Sequence, residues 1–435
     1  MDLFIGVVML AFFLATVIFI MKGESPILSL LALAILWAVL AGVPLKGGAG
    51  KDILSGVLDK GGTAFASAII IIIFGAWFGQ ALVKTHIAEN IIRGAIELAG
   101  DRPVVVAMVV SLVTFLLFSS LYGVGAAIAI GVIALPIMMS VGIPPWVAAP
   151  VFSMAIGAGD CPNLVNFNIM KPLFPGITYA PPYVAYYWIV GVVCTLFACA
   201  MSFYQLKIRG IRKYSAVNVS PPAPARVRIP WYAYFAPAVP VVLVITLNVP
   251  MIPAFLAGTF YALAVTHAAE KRTFRESVDL FHRTFYDAFP DIATMAALWI
   301  ICGMIIVCGE MPAVQKTLSP VFTPILPATP LGAAIFFAAL APLTLYRGPL
   351  HAIGTGAVLL AMFLNAKMLS PVYLYCVWLG PWCLGCGQDP TVSWTLWTIG
   401  YTKVSHKQFL QTALPWGWLM AATNAFVAYF MVPFK

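Results

Sequence analysis

Charge is scarce in this chain. Only 9% of its 435 residues are Asp, Glu, Lys or Arg, where ordinary globular domains carry about 25%. That excludes a large water-soluble domain, and the longest polar stretch runs only from Lys207 to Arg228. Nucleotide-driven and zinc-peptidase chemistry lack their signatures, because neither GxxxxGK[ST] nor HExxH occurs. No enzymatic chemistry is expected and no organic cofactor is implied. The first apolar run, Leu3 to Met21, has no basic residue before it and no small-residue cleavage site. It is therefore expected to be a retained membrane helix rather than a signal peptide.

What is present is hydrocarbon. Apolar residues make up 62% of the chain, and long apolar runs recur from end to end, the mark of a polytopic helical membrane protein. The net charge of +9 does not call for a nucleic-acid partner, since basic residues in membrane proteins mark cytoplasmic loops. The expected surroundings are a lipid bilayer, the bacterial inner membrane. Most of the eight cysteines sit in apolar runs. Cys383 and Cys386 form a CxxC inside a membrane segment without a second ligand pair, so they are expected to be small packing residues.

Apolar segments fall at 3–21, 26–44, 64–83, 103–142, 144–172 and 183–206, and again at 231–248, 250–268, 289–308, 331–367, 370–398 and 409–433. The lists match in order, with amphipathic stretches at Ile87–Ala99 and Pro312–Leu318 in the same places. This is an internal duplication: residues 1–206, a basic linker at 207–229, and residues 230–435. Each copy carries the same two interruptions. The first copy has Leu121-Tyr122-Gly123-Val124-Gly125 and then Gly157-Ala158-Gly159-Asp160-Cys161-Pro162-Asn163. The second has Leu345-Tyr346-Arg347-Gly348-Pro349 and then Gly385-Cys386-Gly387-Gln388-Asp389-Pro390-Thr391. Broken backbone at membrane depth is tolerated only when buried in protein or lining a wet cavity. Matching breaks in two halves point to a transporter's binding site.

The segments 103–142 and 331–367 are too long for one crossing, which needs about 20 residues. Treating both as re-entrant hairpins, with the linker cytoplasmic, gives each half an odd number of crossings. The halves are then inverted and both termini lie outside. Lys22, Lys84, Arg93, Arg102, the linker cluster, Lys271, Arg272, Arg275, Arg283, Lys403 and Lys407 then face the cytoplasm. Only Lys46, Lys51, Lys60, Lys171, Lys316, Lys367 and Lys435 face outward, the asymmetry that orients membrane proteins. The expected fold is an all-α polytopic membrane protein of two inverted-topology repeats, each with a re-entrant helical hairpin and a broken transmembrane helix. The hairpin tips, near Ser119–Gly125 and Thr344–Pro349, are expected to meet around one site.

Arg347 is the leading candidate within that site. A charge at the bilayer centre costs roughly 2.5–3.5 kcal/mol on insertion scales, so it faces a cavity or a partner. Its planar fork suits a carboxylate or phosphate, while a structural ion pair with Asp160 or Asp389 is the competing reading. Ser119, Ser120, Tyr122, Gly123, Tyr346, Gly348, Asn163 and Thr391 join Arg347 as candidate substrate contacts. Asp160, Asp389, Thr344, Gly157, Gly385 and Ser393 are candidate ion-coupling positions, with Na⁺ conceivable at Asp160 and Asp389 and no other metal implied. Helix capping competes with coupling for both aspartates. Ordinary interhelical hydrogen bonding competes for Asn163, Asn166, Thr391 and Ser393. His351 is read as a structural hydrogen bonder before a proton relay. Asp287, Asp291 and Glu310 are expected at helix ends, in the interface.

Phe74-Gly75-Ala76-Trp77-Phe78-Gly79-Gln80, the amphipathic Ile87–Ala99, Ser119-Ser120-Leu121-Tyr122-Gly123-Val124-Gly125 and Ile143-Pro144-Pro145 together resemble the ion transporter superfamily. That group includes gluconate, C4-dicarboxylate and citrate permeases and the large membrane subunit of TRAP transporters. The resemblance implies a small organic-anion substrate, H⁺ or Na⁺ symport, motion of a hairpin-bearing unit (103–172 and 331–398) against a scaffold, and a homodimer. Ser119-Ser120 and Asp160-Cys161-Pro162-Asn163 stand where divalent anion:sodium symporters carry Ser-Asn-Thr signatures, so the coupling ion stays open. A cation/proton antiporter and a membrane subunit of a multi-component transporter remain as alternatives.

Overall fold

The computed structural model describes residues 2–48, 50–208 and 229–433. Most of the expected linker, residues 209–228, and Lys435 lie outside them. Every regular element among the described residues is a helix. Hydrocarbon cannot hydrogen-bond a free N–H or C=O, so a spanning chain must satisfy its backbone internally. Five helices are long and apolar enough to cross a membrane: Asp2–Ile20, Ile53–Lys84, Tyr183–Ile208, Phe274–Glu310 and Pro330–Arg347. The chain is an all-α, multi-pass membrane protein. Large apolar side chains such as Leu28, Leu116, Leu196 and Phe430 point outward, as they do when the solvent is lipid.

The element order repeats. In the first half, Asp2–Met21 and Pro26–Leu40 precede the long Ile53–Lys84 stretch and the amphipathic Ile87–Ala99. A helix pair, Pro103–Phe118 and Val124–Ser140, comes next, then Pro145–Gly159, Leu164–Met170 and Tyr183–Phe203. In the second half, Ala238–Leu247 and Met251–His267 precede Phe274–Glu310 and Pro312–Phe322. Pro330–Leu340, a tight turn through Ala341–Arg347, and Gly356–Ala366 form the second pair, before Pro371–Gln388, Ser393–Thr402 and His406–Met431. Proline opens the first hairpin arm and the broken helix in both halves, as Pro103 and Pro145 and as Pro330 and Pro371. A first-turn N–H has no intrahelical acceptor, so proline starts a helix there without losing a bond.

Elements of one half pack on their counterparts in the other. Ala66–Lys84 lies against Phe274–Glu310, Pro145–Gly159 against Pro371–Gln388, and Tyr183–Phe203 against His406–Met431. Pro26–Leu40 packs on Phe274–Glu310 while Met251–His267 packs on Ala66–Lys84. The early helices of each half pack together, the hairpins pack on the broken helices, and the two sets also meet, as where Phe274–Glu310 lies against Gly356–Ala366. Glycine allows a close crossing between the broken helices. A Cβ on Gly157 would lie 2.7 Å from the Gly387 nitrogen and 2.8 Å from the Cys383 carbonyl oxygen. Gly157 is therefore a backbone contact between the two broken helices, the close-approach role of small residues in membrane helices.

One expectation changes. Asp287 and Asp291 do not sit at a helix end, because the charged residues before 289 and the apolar run after it form one continuous helix, Phe274–Glu310, through Pro290. Its N-terminus is closed by a capping box between Thr273 and Glu276, which lets the helix begin well before the apolar run.

Gly157→Val is expected to lower thermal stability in detergent by an amount equivalent to about 1–3 kcal/mol of overpacking. Gly400→Ala, where an added Cβ meets nothing within 4 Å, is expected to leave it unchanged. Unfolding followed by intrinsic fluorescence checks both.

Candidate functional site

The first tip begins where Pro103–Phe118 ends. Ser119 donates its hydroxyl back to Leu116 O at 2.7 Å, and Gly123, at φ 104°, turns the chain into Val124–Ser140. A side chain rarely adopts that φ, and glycine does so freely. Two carbonyls are orphaned by the turn, and Asn163 takes both. Its Nδ2 donates to Phe118 O at 2.7 Å and Leu121 O at 2.8 Å. Its Oδ1 accepts from Val165 N at 2.8 Å and Asn166 N at 3.1 Å, capping the Leu164–Met170 helix. The amide that interrupts the first broken helix thus also pins the first hairpin tip.

The second tip uses the same device with reversed polarity. Asp389 interrupts the second broken helix. Its Oδ2 accepts from the Arg347 backbone N–H at 3.0 Å, and its Oδ1 accepts from Thr391 N and Thr391 Oγ1, both at 2.8 Å. Thr355 closes the turn by donating from its N–H and hydroxyl to Arg347 O, at 3.1 and 3.0 Å. Tyr346 and Arg347 are both left-handed, at φ 55° and 57°, a conformation that costs a non-glycine residue about 1–3 kcal/mol. Gly348 follows because a Cβ there would sit 2.2 Å from Leu343 O.

A cavity of about 40 Å³ lies where these parts converge. Tyr122, Gly123 and Val124 line it from the first tip, Arg347 from the second, and Val392, Ser393 and Trp394 from the start of the last half-helix. Asp291, Thr294, Met295 and Leu298 close it from Phe274–Glu310. Among the described residues Arg347 has no carboxylate partner; its guanidinium lies 3.4 Å from His351 Nε2. The proposed ion pairs with Asp160 and Asp389 are not formed, since Asp389 holds the Arg347 backbone instead. Ser393–Thr402 starts with no side-chain cap, so its free N–H groups add positive potential to the same wall.

The expected residues divide. Tyr122, Gly123, Arg347 and Ser393 share the cavity. Asn163, Asp389 and Thr391 have their polar atoms spent on fixing the tips. Ser119 and Ser120 line a different, apolar cavity of about 840 Å³, between Ile87–Ala99 and Ala238–Leu247. Tyr346 and Gly348 belong to the second turn without lining the small cavity. Gly385 leaves room beside it for Thr344 and His351. Asp160 is buried, with Oδ2 lacking a hydrogen-bond partner; the same holds for Oδ1 of its neighbour Asn166, whose amide donates to Asp160 O at 2.7 Å.

Asp291, expected at a helix end in the interface, instead reaches the first tip from the middle of Phe274–Glu310. Its Oδ2 accepts from Gln80 Nε2 at 2.6 Å and its Oδ1 from Gly125 N at 3.1 Å, at the N-terminus of the second hairpin arm. It joins both long helices to the first tip. The signal in the sequence was a carboxylate beside Pro290 ahead of an apolar run, the kind of intramembrane charge that marks a functional position. Tyr122 donates its phenol to Met295 Sδ at 2.8 Å, a second tie to the same helix.

No known family model matches the chain, and no curated protein matches it. Among solved structures it is similar to the crystal structure of the YdaH transporter of Alcanivorax borkumensis, described as having an unusual topology. The match has a TM-score of 0.64 at 13% identity and covers 94% of this chain and 98% of that one. The two chains share a fold.

Asn163→Ala and Asp389→Ala are each expected to destabilise the protein by about 1–3 kcal/mol per orphaned buried partner. Ser140→Ala, which removes one exposed hydroxyl bond, is expected to be silent. Thermal unfolding with limited proteolysis across residues 119–123 and 345–349 reads the difference.

Proposed function

We propose that the chain is a secondary active transporter that moves a small organic anion, a carboxylate, across the bacterial inner membrane by H⁺ or Na⁺ symport. The observation that carries this reading is Arg347. Its guanidinium lines a cavity at membrane depth with no carboxylate paired to it, next to the uncapped N-terminus of Ser393–Thr402. An unpaired intramembrane cation beside a free helix N-terminus selects an anion. The cavity's own carboxylate, Asp291, binds Gly125 N and Gln80 instead. Its bond to Gly125 N supports the reading by seating a carboxylate at the first tip's helix N-terminus. The fold shared with the YdaH transporter supports the general class.

The resemblance to ion transporter superfamily carriers extends the proposal. It supplies inverted repeats at 1–206 and 230–435, a hairpin-bearing unit moving against a scaffold, and a homodimer. Asp160 is the preferred coupling residue, because its Oδ2 is free of hydrogen bonds while both Asp389 oxygens are engaged. The same contrast weighs against an antiporter that exchanges cations on both aspartates.

Counterflow of labelled organic acids in proteoliposomes tests the anion site. Arg347→Ala is expected to reduce it roughly 10- to 100-fold, the effect of losing about 1.5–3 kcal/mol of charge-assisted hydrogen bonding. Arg347→Lys is expected to recover part of it, as a point charge replaces a fork. Full activity in Arg347→Ala would sink the reading. Asp160→Asn is expected to keep counterflow, which needs no gradient, and to lose accumulation driven by Na⁺ or pH. Undiminished accumulation would remove Asp160 from coupling.

A further inference from the structure

The expectation that the cysteines are packing residues leaves one cluster unexplained. Cys161, at the first break, Cys194, in Tyr183–Phe203, and Cys383, in Pro371–Gln388, bring their sulfurs within 4.8 Å of one another. All three are at most 2% exposed. They come from three separate segments, so chain connectivity does not force them together. Cys161 Sγ and Cys194 Sγ are 4.0 Å apart, far beyond a disulfide bond of about 2.05 Å. Asn424, from His406–Met431, donates its amide to Cys194 Sγ at 3.4 Å.

We propose that Cys161, Cys194 and Cys383 form a three-coordinate thiolate site for a soft d¹⁰ cation of the Cu⁺ type. The geometry carries the argument. Metal–sulfur bonds of about 2.3 Å in a trigonal plane place the sulfurs about 4.0 Å apart, so the observed separations need little adjustment. Among the described residues no fourth Cys, His, Asp or Glu joins the group. Structural zinc sites close with four ligands, whereas thiolates select Cu⁺. Each Cu–S bond formed to a thiolate releases one proton from the corresponding thiol. The Asn424 amide then donates to a sulfur that carries negative charge, the outer contact that orients a metal ligand. A bound cation would staple both broken helices and the helix after the first into one body.

The test is anaerobic titration of the full-length protein in detergent with Cu⁺, in competition with a chromogenic Cu⁺ chelator, followed by X-ray absorption of the bound copper. The expected result is one equivalent held by three sulfurs at about 2.3 Å, with a raised unfolding temperature. Cys161→Ser, Cys194→Ser and Cys383→Ser should each weaken binding at least tenfold. Cys302→Ser and Cys376→Ser should leave it unchanged. No stoichiometric copper, two-sulfur coordination, or equal binding in the triple serine variant would overturn the site and return the thiols to simple packing. The absorption spectrum of the wild-type protein decides the matter even if a serine variant fails to fold.

Discussion

A helix interrupted in hydrocarbon leaves carbonyls and amides that water cannot reach, and everything near the centre of this protein answers that constraint. Each interruption ends a hydrogen-bonded ladder, and an unmatched buried group costs about 1–3 kcal/mol. Asn163 and Asp389 are the answers. Asn163 caps the half-helix that follows it, Asp389 fixes the turn at Thr391, and each reaches across to the tip of the preceding hairpin. The breaks and the tips are therefore one assembly in each half.

The polarity of these anchors differs between the halves. Asn163 donates to tip carbonyls; Asp389 accepts from a tip N–H. The first arrangement leaves the following helix N-terminus, at Gly125, open to a carboxylate from elsewhere, and Asp291 supplies one. The second consumes its carboxylate on the backbone and leaves the Arg347 side chain without an acidic partner. A chain built from matched elements thus reaches an electrostatically lopsided centre.

The sequence made the backbone legible and left most side-chain directions hidden. Glycines at 123, 157, 348 and 385, and prolines at matched helix starts, marked the two turns and the two interrupted stretches, because their effect on φ and on hydrogen bonding is local. Amphipathic Ile87–Ala99 appears with the expected bounds. Whether a polar atom in a break faces a cavity or a neighbouring carbonyl depends on helix rotation and on distant elements. For that reason Asn163 and Thr391 are spent on anchoring, Ser119 and Ser120 line another cavity, and Asp291 meets the first tip from far along the chain rather than a helix end. The meeting of Cys161, Cys194 and Cys383 was invisible for the same reason: no periodicity relates residues on three separate segments.

Consider finally the consecutive left-handed residues Tyr346 and Arg347. Their conformational penalty, about 1–3 kcal/mol each, is of the same order as the contribution of the Asp389 bond that holds them. The turn is held from both sides, by Asp389 on the Arg347 N–H and by Thr355 on the Arg347 carbonyl. One carboxylate, not itself facing the cavity, thereby helps to fix the backbone from which the central positive charge is presented.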